Sequence, residues 1–242
     1  MPRSTGPVRT YVLLHGAWHG AWCWQKLTPL LEARGAQVHT PTQTGLGERA
    51  HLLSPSVGLE TFVDDLMQVL VDEDLWDVIL VGHSFGGNAI TAVADRCPER
   101  LRHLVYLDAV IPRSGQSAMS QLSLELQQAR RQAAIESSGG LTMPVPDARA
   151  FGVSDPDDAR WLSAHLTPHP IKTYEDALTL NHPPGHGVPT TYIAVTPDYG
   201  PTEKSRDYAK AQPDWNYLEL AAGHDAMVTS PEALAEMLWA IE

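Results

Sequence analysis

The most informative ten residues of this chain are Val78-Ile-Leu-Val-Gly-His-Ser-Phe-Gly-Gly87. Four apolar residues without alternation suit a strand of a parallel sheet that is buried on both faces. They run straight into Gly82-His83-Ser84-Phe85-Gly86, a G-x-S-x-G sequence, and the spacing beyond it predicts a helix from Gly86 to Cys97. Small flanking residues are needed because a serine at such a junction sits on a strained turn, with the chain crossing closely behind it. The turn lifts the hydroxyl clear of the sheet and points the next amide into the same space. The five-residue pattern occurs by chance in many loops. Here the strand before it, the helix after it and the additional Gly87 make Ser84 a candidate nucleophile.

Working outward, Thr10–Leu14 reads as a strand that stops at His15-Gly16, followed by an amphipathic helix over roughly 21–34 that Gly35 ends. Gln37–Thr40 is the next strand, and residues 41–58 form a glycine- and proline-punctuated loop. Helical spacing returns over 59–75 (Leu59, Phe62, Leu66, Val69, Leu70), and Leu104–Leu107 is another apolar strand. From 112 to 188 no clear buried strand is found; a Gln- and Arg-rich helix at 122–135, loops around Ser137–Gly140 and many prolines occupy that stretch. Alternation resumes with strands at 190–195 and 215–220 and closes with a helix over 231–241. Such alternation predicts an α/β fold, a doubly wound and mostly parallel sheet of about six strands. The core is residues 1–111 and 189–242, and the interruption at 112–188 is a helical cap.

Bulk properties narrow the function. The 242 residues carry 17 basic and 29 acidic side chains, a formal net charge of −12, with no basic stripe of the kind phosphate recognition needs. Nucleic acid is therefore not an expected partner. Apolar runs are a few residues long against the ~20 a spanning helix needs, and no signal-peptide-like segment precedes the first strand. A cytoplasmic location, two reduced cysteines (Cys23 and Cys97) and no membrane association follow as expectations.

A serine hydroxyl is a weak nucleophile until a base takes its proton. Of eleven histidines, His224 lies just past the last strand and before the final helix, on the sheet edge that also carries Ser84. A carboxylate should orient it. Asp198, after the penultimate strand, gives the chain order Ser, Asp, His of this architecture; Asp108, Asp207 and Asp214 compete. Donors are also required where negative charge develops on the carbonyl oxygen, and losing one costs about 3–4 kcal/mol. The backbone amides of Phe85 and Ala17 are the candidates, the latter on the loop His15-Gly-Ala-Trp18.

With Leu13-Leu-His-Gly-Ala-Trp-His-Gly-Ala-Trp-Cys-Trp24, Thr44-Gly-Leu-Gly-Glu-Arg-Ala-His-Leu52, Val81–Gly87 and Ala222-Gly-His-Asp-Ala-Met227, the sequence resembles the α/β-hydrolase superfamily. Within it, the chain is similar to the branch of plant salicylate methyl esterases, hydroxynitrile lyases and bacterial carboxylesterases that include pyrethroid hydrolases. The likeness is weakest over 112–188. It implies a triad of Ser84, Asp198 and His224 and an oxyanion hole of Ala17 and Phe85. The lyases of this branch have a lysine directly after the histidine and a threonine near the oxyanion loop. Here Asp225 and Ala17 stand in their place, which disfavours a cyanide leaving group. Ser84 excludes the aspartate-nucleophile versions of the fold.

Other features have plainer readings. His165/His169 and His182/His186 share H-x-x-x-H spacing, but the interleaved prolines break the helix a zinc site would need, so no metal is expected. Gly45-Leu-Gly47 lacks the third glycine of a dinucleotide loop, so no cofactor is expected. Trp18 and Trp161 are candidate pocket residues, and Met119, Leu122, Leu124, Leu141, Met143 and Trp161 a candidate core for the cap. The expectation is a serine carboxylesterase acting on a small apolar ester, with a homodimer left open as its assembly. The alternatives are a ligand-binding receptor on a hydrolase scaffold, or a C–C hydrolase, thioesterase or lactonase with the same triad.

Overall fold

The computed structural model describes residues 8–241. Strand β1 (Thr10–Leu14) leads through a 3-10 turn at Ala21–Trp24 to the short helix α1 (Thr28–Glu32) and to β2 (Gln37–His39). The single helix expected over 21–34 is thus broken, because Pro29 starts a helix readily and cannot continue one. Helix α2 (Leu59–Asp72), β3 (Val78–His83), α3 (Gly87–Arg96) and β4 (Leu101–Leu107) complete the first half. The excursion after β4 contains α4 (Leu124–Ser138), β5 (Thr142–Met143), α5 (Pro156–His165), β6 (His169–Pro170) and α6 (Lys172–Glu175). The chain then returns through β7 (Thr190–Thr196), α7 (Glu203–Lys210), β8 (Asn216–Ala221), α8 (Ala226–Thr229) and α9 (Pro231–Ala240).

Six of these strands form one parallel sheet in the order β2-β1-β3-β4-β7-β8, and β5 pairs with β6 in a separate two-residue antiparallel ribbon. Alternate strand residues feed two cores. Val12, Leu14, Leu80, Leu104, Tyr106 and Tyr192 pack with α2 and α3 on one face. Tyr11, Leu13, Ile79, Val81, Val105 and Ile193 pack with α1, α8 and α9 on the other. Burial on both faces explains why the strands read as continuous apolar runs.

The excursion has small clusters of its own, one of Met119, Met143 and Ile171 and one of Phe151, Val153 and Leu162. Leu124, expected in that core, is instead 75% exposed at the first position of α4. Asp176 ties the excursion to the sheet layer by accepting the Leu59 amide at the start of α2, where helix amides lack internal partners.

The sharpest steric demand falls on Gly87. A Cβ there would collide with the Val110 carbonyl oxygen and lie 3.1 Å from Ala109 Cβ, both on the segment leaving β4. At Gly200 a Cβ meets open space and φ is not left-handed. Gly87→Ala should therefore lower the unfolding free energy by about 2–4 kcal/mol. Gly200→Ala should stay within about 0.5 kcal/mol. Urea denaturation of the two variants beside the wild type checks both values.

Candidate active site

The sheet order reverses between β1 and β3, since β1 continues to β2 on one side and β3 to β4 on the other. Loops leaving neighbouring strands at such a switch point diverge and open a crevice. The β1 loop brings Ala17 and Trp18, the β3 exit brings Ser84, and the β4 exit brings Asp108. His83 and Leu107 are register partners, so Ser84 and Asp108 leave adjacent strands at the same level.

Trp18 (φ 66°), Ser84 (φ 52°) and Asp108 (φ 39°) are all left-handed. A non-glycine residue held there costs of order 1–3 kcal/mol and persists only where its surroundings fix it. Here they do. The Val110 amide donates to Ser84 O at 3.0 Å, the Asp108 amide to Ile193 O at 2.7 Å, and the Thr167 amide to Trp18 O at 2.9 Å. Gly16 and Gly86 let the β1 loop pass behind the serine: a Cβ on Gly16 would sit 2.8 Å from Ser84 Cβ, and one on Gly86 2.7 Å from His15 O. Ser84 is part-exposed between buried His83 and Phe85.

His224 follows β8 and is 2% exposed. Its carbonyl accepts from His83 Nε2 at 3.0 Å, and the two rings lie 4.6 Å apart, which sets it beside the Ser84 turn. Nδ1 donates to Asp108 Oδ2 at 2.6 Å. Nε2 has no hydrogen-bond partner among the described residues. Tyr199 stacks on the imidazole at 3.6 Å.

The carboxylate beside the imidazole is therefore Asp108, and this corrects the expectation of Asp198. Asp108 is fully buried, its Oδ1 accepts from Thr202 Oγ1 at 2.8 Å, and Arg206 Nη1 lies 3.8 Å away. The Asp198 side chain is 71% exposed, and its near cation is Arg206 at 3.5 Å. Two residues beyond β7, it has turned outward, whereas Asp108 comes one residue past β4 and is pulled in by its left-handed turn.

The remaining expected residues divide. Ala17 and Phe85 are buried beside Ser84, and the Trp18 amide is occupied by His169 Nδ1 at 3.2 Å, which leaves Ala17 as the donor candidate of the β1 loop. Trp18 packs against Phe151, His169 and Tyr174 at 5.7–6.3 Å. The ring contacts of Trp161 are Trp22 at 5.3 Å and His165 at 5.0 Å. Two wall residues were missed by the sequence reading, Tyr174, stacked on Phe85 at 4.3 Å, and Tyr199. No motif marks either one.

A match to the alpha/beta hydrolase family model spans residues 11–237. The chain belongs to that family. It is 38% identical to a carbendazim hydrolyzing esterase of Nocardioides sp. strain SG-4G, over 96% of this chain and 98% of that protein. It is 27% identical to a pheophorbidase of Raphanus sativus, over 93% and 90%. Among solved structures, an extracellular α/β-hydrolase from a Paenibacillus species, described as sharing homology with tobacco salicylic acid binding protein 2, superimposes with a TM-score of 0.80. It is 26% identical and the match covers 96% of this chain and 98% of that one.

In this hydrolase a second buried acid lies next to the histidine. Asp225, fully buried, accepts from His19 Nε2 at 2.9 Å, and His19 Nδ1 faces Ala17 O at 2.7 Å. With an acceptor at each nitrogen, the His19 ring must carry both protons. Burial opposes that charge, but Asp225 by charge and hydrogen bond, with the Ala17 carbonyl, outweighs it and raises the His19 pKa. Burial likewise opposes ionised Asp225, and His19, His83 and His224 outweigh it, so its pKa is lowered. Asp225 Oδ2 is thus paired with His19, while its Oδ1 has no hydrogen-bond partner among the described residues.

Burial lowers the pKa of three other imidazoles, His15, His83 and His169. Burial, with a smaller repulsion from His19, takes His15 down to about 3 although the Gly16 carbonyl opposes it; His15 Nε2 accepts the Gln43 amide. Burial and His224 depress His83. Among the described residues, His83, His224 and Asp225 are the group whose ligand-type atoms all lie within 4.8 Å of one another. The hydrogen bonds of His83 to the His224 carbonyl and of Asp225 to His19 make this group a framework for the imidazole.

The His19–Asp225 pair has a pH signature. The raised His19 pKa contributes stability that is complete below its ordinary 6.5 and is lost as pH rises through the folded value. The lowered Asp225 pKa contributes stability present above its ordinary 3.8 and lost as pH falls through the folded value. Asp225→Asn should therefore cost about 3–5 kcal/mol between pH 4 and 6.5, and less at pH 9. Denaturant melts across that range check the profile, and a flat difference would refute it.

Proposed function

We propose that this hydrolase cleaves a small, largely apolar carboxylic ester by serine-dependent acyl transfer, with Ser84, His224 and Asp108 as its triad. Its membership of the family and its esterase relatives make it a carboxylic ester hydrolase. The observation that carries the mechanism is the 2.6 Å hydrogen bond from His224 Nδ1 to buried Asp108, with Nε2 left free beside the left-handed Ser84 turn.

His224 Nε2 takes the Ser84 proton as Oγ attacks the ester carbonyl, forming a C–O bond and placing the carbonyl π electrons on oxygen. The amides of Ala17 and Phe85 receive that charge. Asp108 fixes the Nδ1–H tautomer and stabilises the imidazolium without taking its proton. Collapse of the intermediate breaks the ester C–O bond, and the alcohol leaves with the proton from Nε2. Water then repeats the sequence on the acyl-serine, with its proton passing to His224, and frees the acid. Trp18, Phe85 and Tyr174 provide an apolar wall for the acyl or alcohol part.

Release of nitrophenol from a short-chain p-nitrophenyl ester tests the reading. Ser84→Ala should lower kcat by about 10⁴-fold or more with the melting midpoint kept; comparable turnover in that variant would sink the mechanism. Asp108→Asn should lower kcat by about 10³–10⁴-fold, the scale for an acid that holds a catalytic tautomer, while Asp198→Asn should stay within about threefold. The opposite ranking of the two aspartates would return the acid to the β7 loop.

A further inference from the structure

Helix α4 of the cap carries two arginines in succession with different fates. Arg131 points to Glu175, its Nε at 2.8 Å from Oε1. Arg130 has no carboxylate within ion-pair distance among the described residues, and its Nη1 is sealed from solvent without a hydrogen-bond partner. A buried charged donor left unmade is costly, and in a folded protein it calls for an explanation.

The surroundings supply one. The guanidinium lies over the face of Tyr174, 5.0 Å from the ring centroid. Tyr174 stacks on Phe85, the residue after Ser84, and meets Trp18 at 6.3 Å. The same positive charge acts on Tyr199, the ring stacked on His224, and on His169. Arg130 thus lies over the aromatic wall beside Ser84, and its charge is felt at Tyr199, the ring stacked on His224. The other charges at that depth are already matched: Asp108 with His224 and Arg206, and Asp225 with His19. The guanidinium is also a side-chain hydrogen-bond partner of Tyr174, which leaves Nη1 as the donor without a partner, and a guanidinium matches a carboxylate in bidentate geometry.

We propose that Arg130 is a substrate-docking residue and that the preferred substrate is an ester whose apolar body carries a free carboxylate, which the Arg130 guanidinium binds. This rests on Ser84 being the nucleophile, and it narrows the substrate class of that same site. The carboxylate takes no part in the bond changes; it is held while the ester carbonyl lies at Ser84. A chain with a net charge of −12 repels anions at long range, so recognition of one must come from a local cation of this kind.

The test compares matched esters with and without the charge. 4-Nitrophenyl hemiglutarate against 4-nitrophenyl valerate places the carboxylate on the acyl side; 4-carboxyphenyl butyrate against phenyl butyrate places it on the alcohol side. In the wild type one pair should favour the anionic member in kcat/KM. In Arg130→Met that anionic-to-neutral ratio should fall by about tenfold to a hundredfold, mostly through KM, with Arg130→Lys between the two because it keeps charge and loses the fork. A ratio that Arg130→Met leaves unchanged for both pairs overturns the proposal, as does a wild type that favours the neutral member of each. Failure of the serine mechanism is read separately. Calorimetric titration of glutarate and of benzoate into folded Ser84→Ala protein should give binding of one of them that disappears in Ser84→Ala/Arg130→Met. Binding of neither, or binding that persists in the double variant, counts against Arg130 whatever the nucleophile is.

Discussion

A serine can be held at a left-handed φ in this sheet only because the chain behind it carries no side chains. Gly16 passes Ser84 Cβ, Gly86 passes the His15 carbonyl, and Gly87 passes the Val110 carbonyl. Each approach is closer than a Cβ permits, so the β1 loop, the β3 exit and the β4 exit are locked into one unit. The consequences run outward from that unit. The β1 loop is pinned where its Ala17 amide adjoins the serine, and the β4 exit is pinned where Asp108 turns inward. The Ala17 amide, Ser84 and Asp108 therefore share one rigid backbone, the pre-organisation that an electrostatic site requires.

Two buried acids flank His224 and do different work. Asp108 touches the imidazole directly and sets which nitrogen carries the proton. Asp225 binds His19, and His19 reaches the carbonyl of Ala17, so the loop of His224 and the β1 loop are joined through one charged pair. Breaking a buried pair leaves an uncompensated charge, which makes that link stiff. The arrangement separates proton transfer from loop placement, because the two carboxylates have no hydrogen-bond partner in common. It also explains the histidine-rich character of the site: His15, His19, His83 and His169 each satisfy a backbone or side-chain group where an apolar residue would leave it bare.

What the sequence made legible follows the range of the forces involved. The parallel sheet, the serine turn and His224 are written in local patterns: apolar runs, small flanking residues, and position relative to a strand end. Asp108 and Asp198 have the same local signature, a carboxylate just past a buried strand. Only the register of β3 with β4, and a left-handed turn one residue past β4, distinguish them. Both satisfy the chain order Ser, Asp, His, so Asp198 is favoured only by its place after the penultimate strand, and that place says nothing of the depth a side chain reaches. Asp225 is a similar case. Its position after His224 is visible in the sequence, but its partner His19 is 206 residues away, and no local pattern joins the two.

The cap was the least legible part for a related reason. Its clusters are small, its helix α4 is polar with exposed Leu124, Leu126 and Ile135, and its strands are two residues long. Little of its position is dictated by its own periodicity; it is dictated by docking. Gly152 in the cap and Gly223 beside His224 approach so closely that neither has room for a Cβ, and the Asp225 amide donates to Phe151 O at 3.0 Å. The cap therefore abuts the backbone that carries the base, while Tyr174 from the same excursion stacks on Phe85. Any shift of the segment between β4 and β7 must act within that constraint, since it moves the setting of His224.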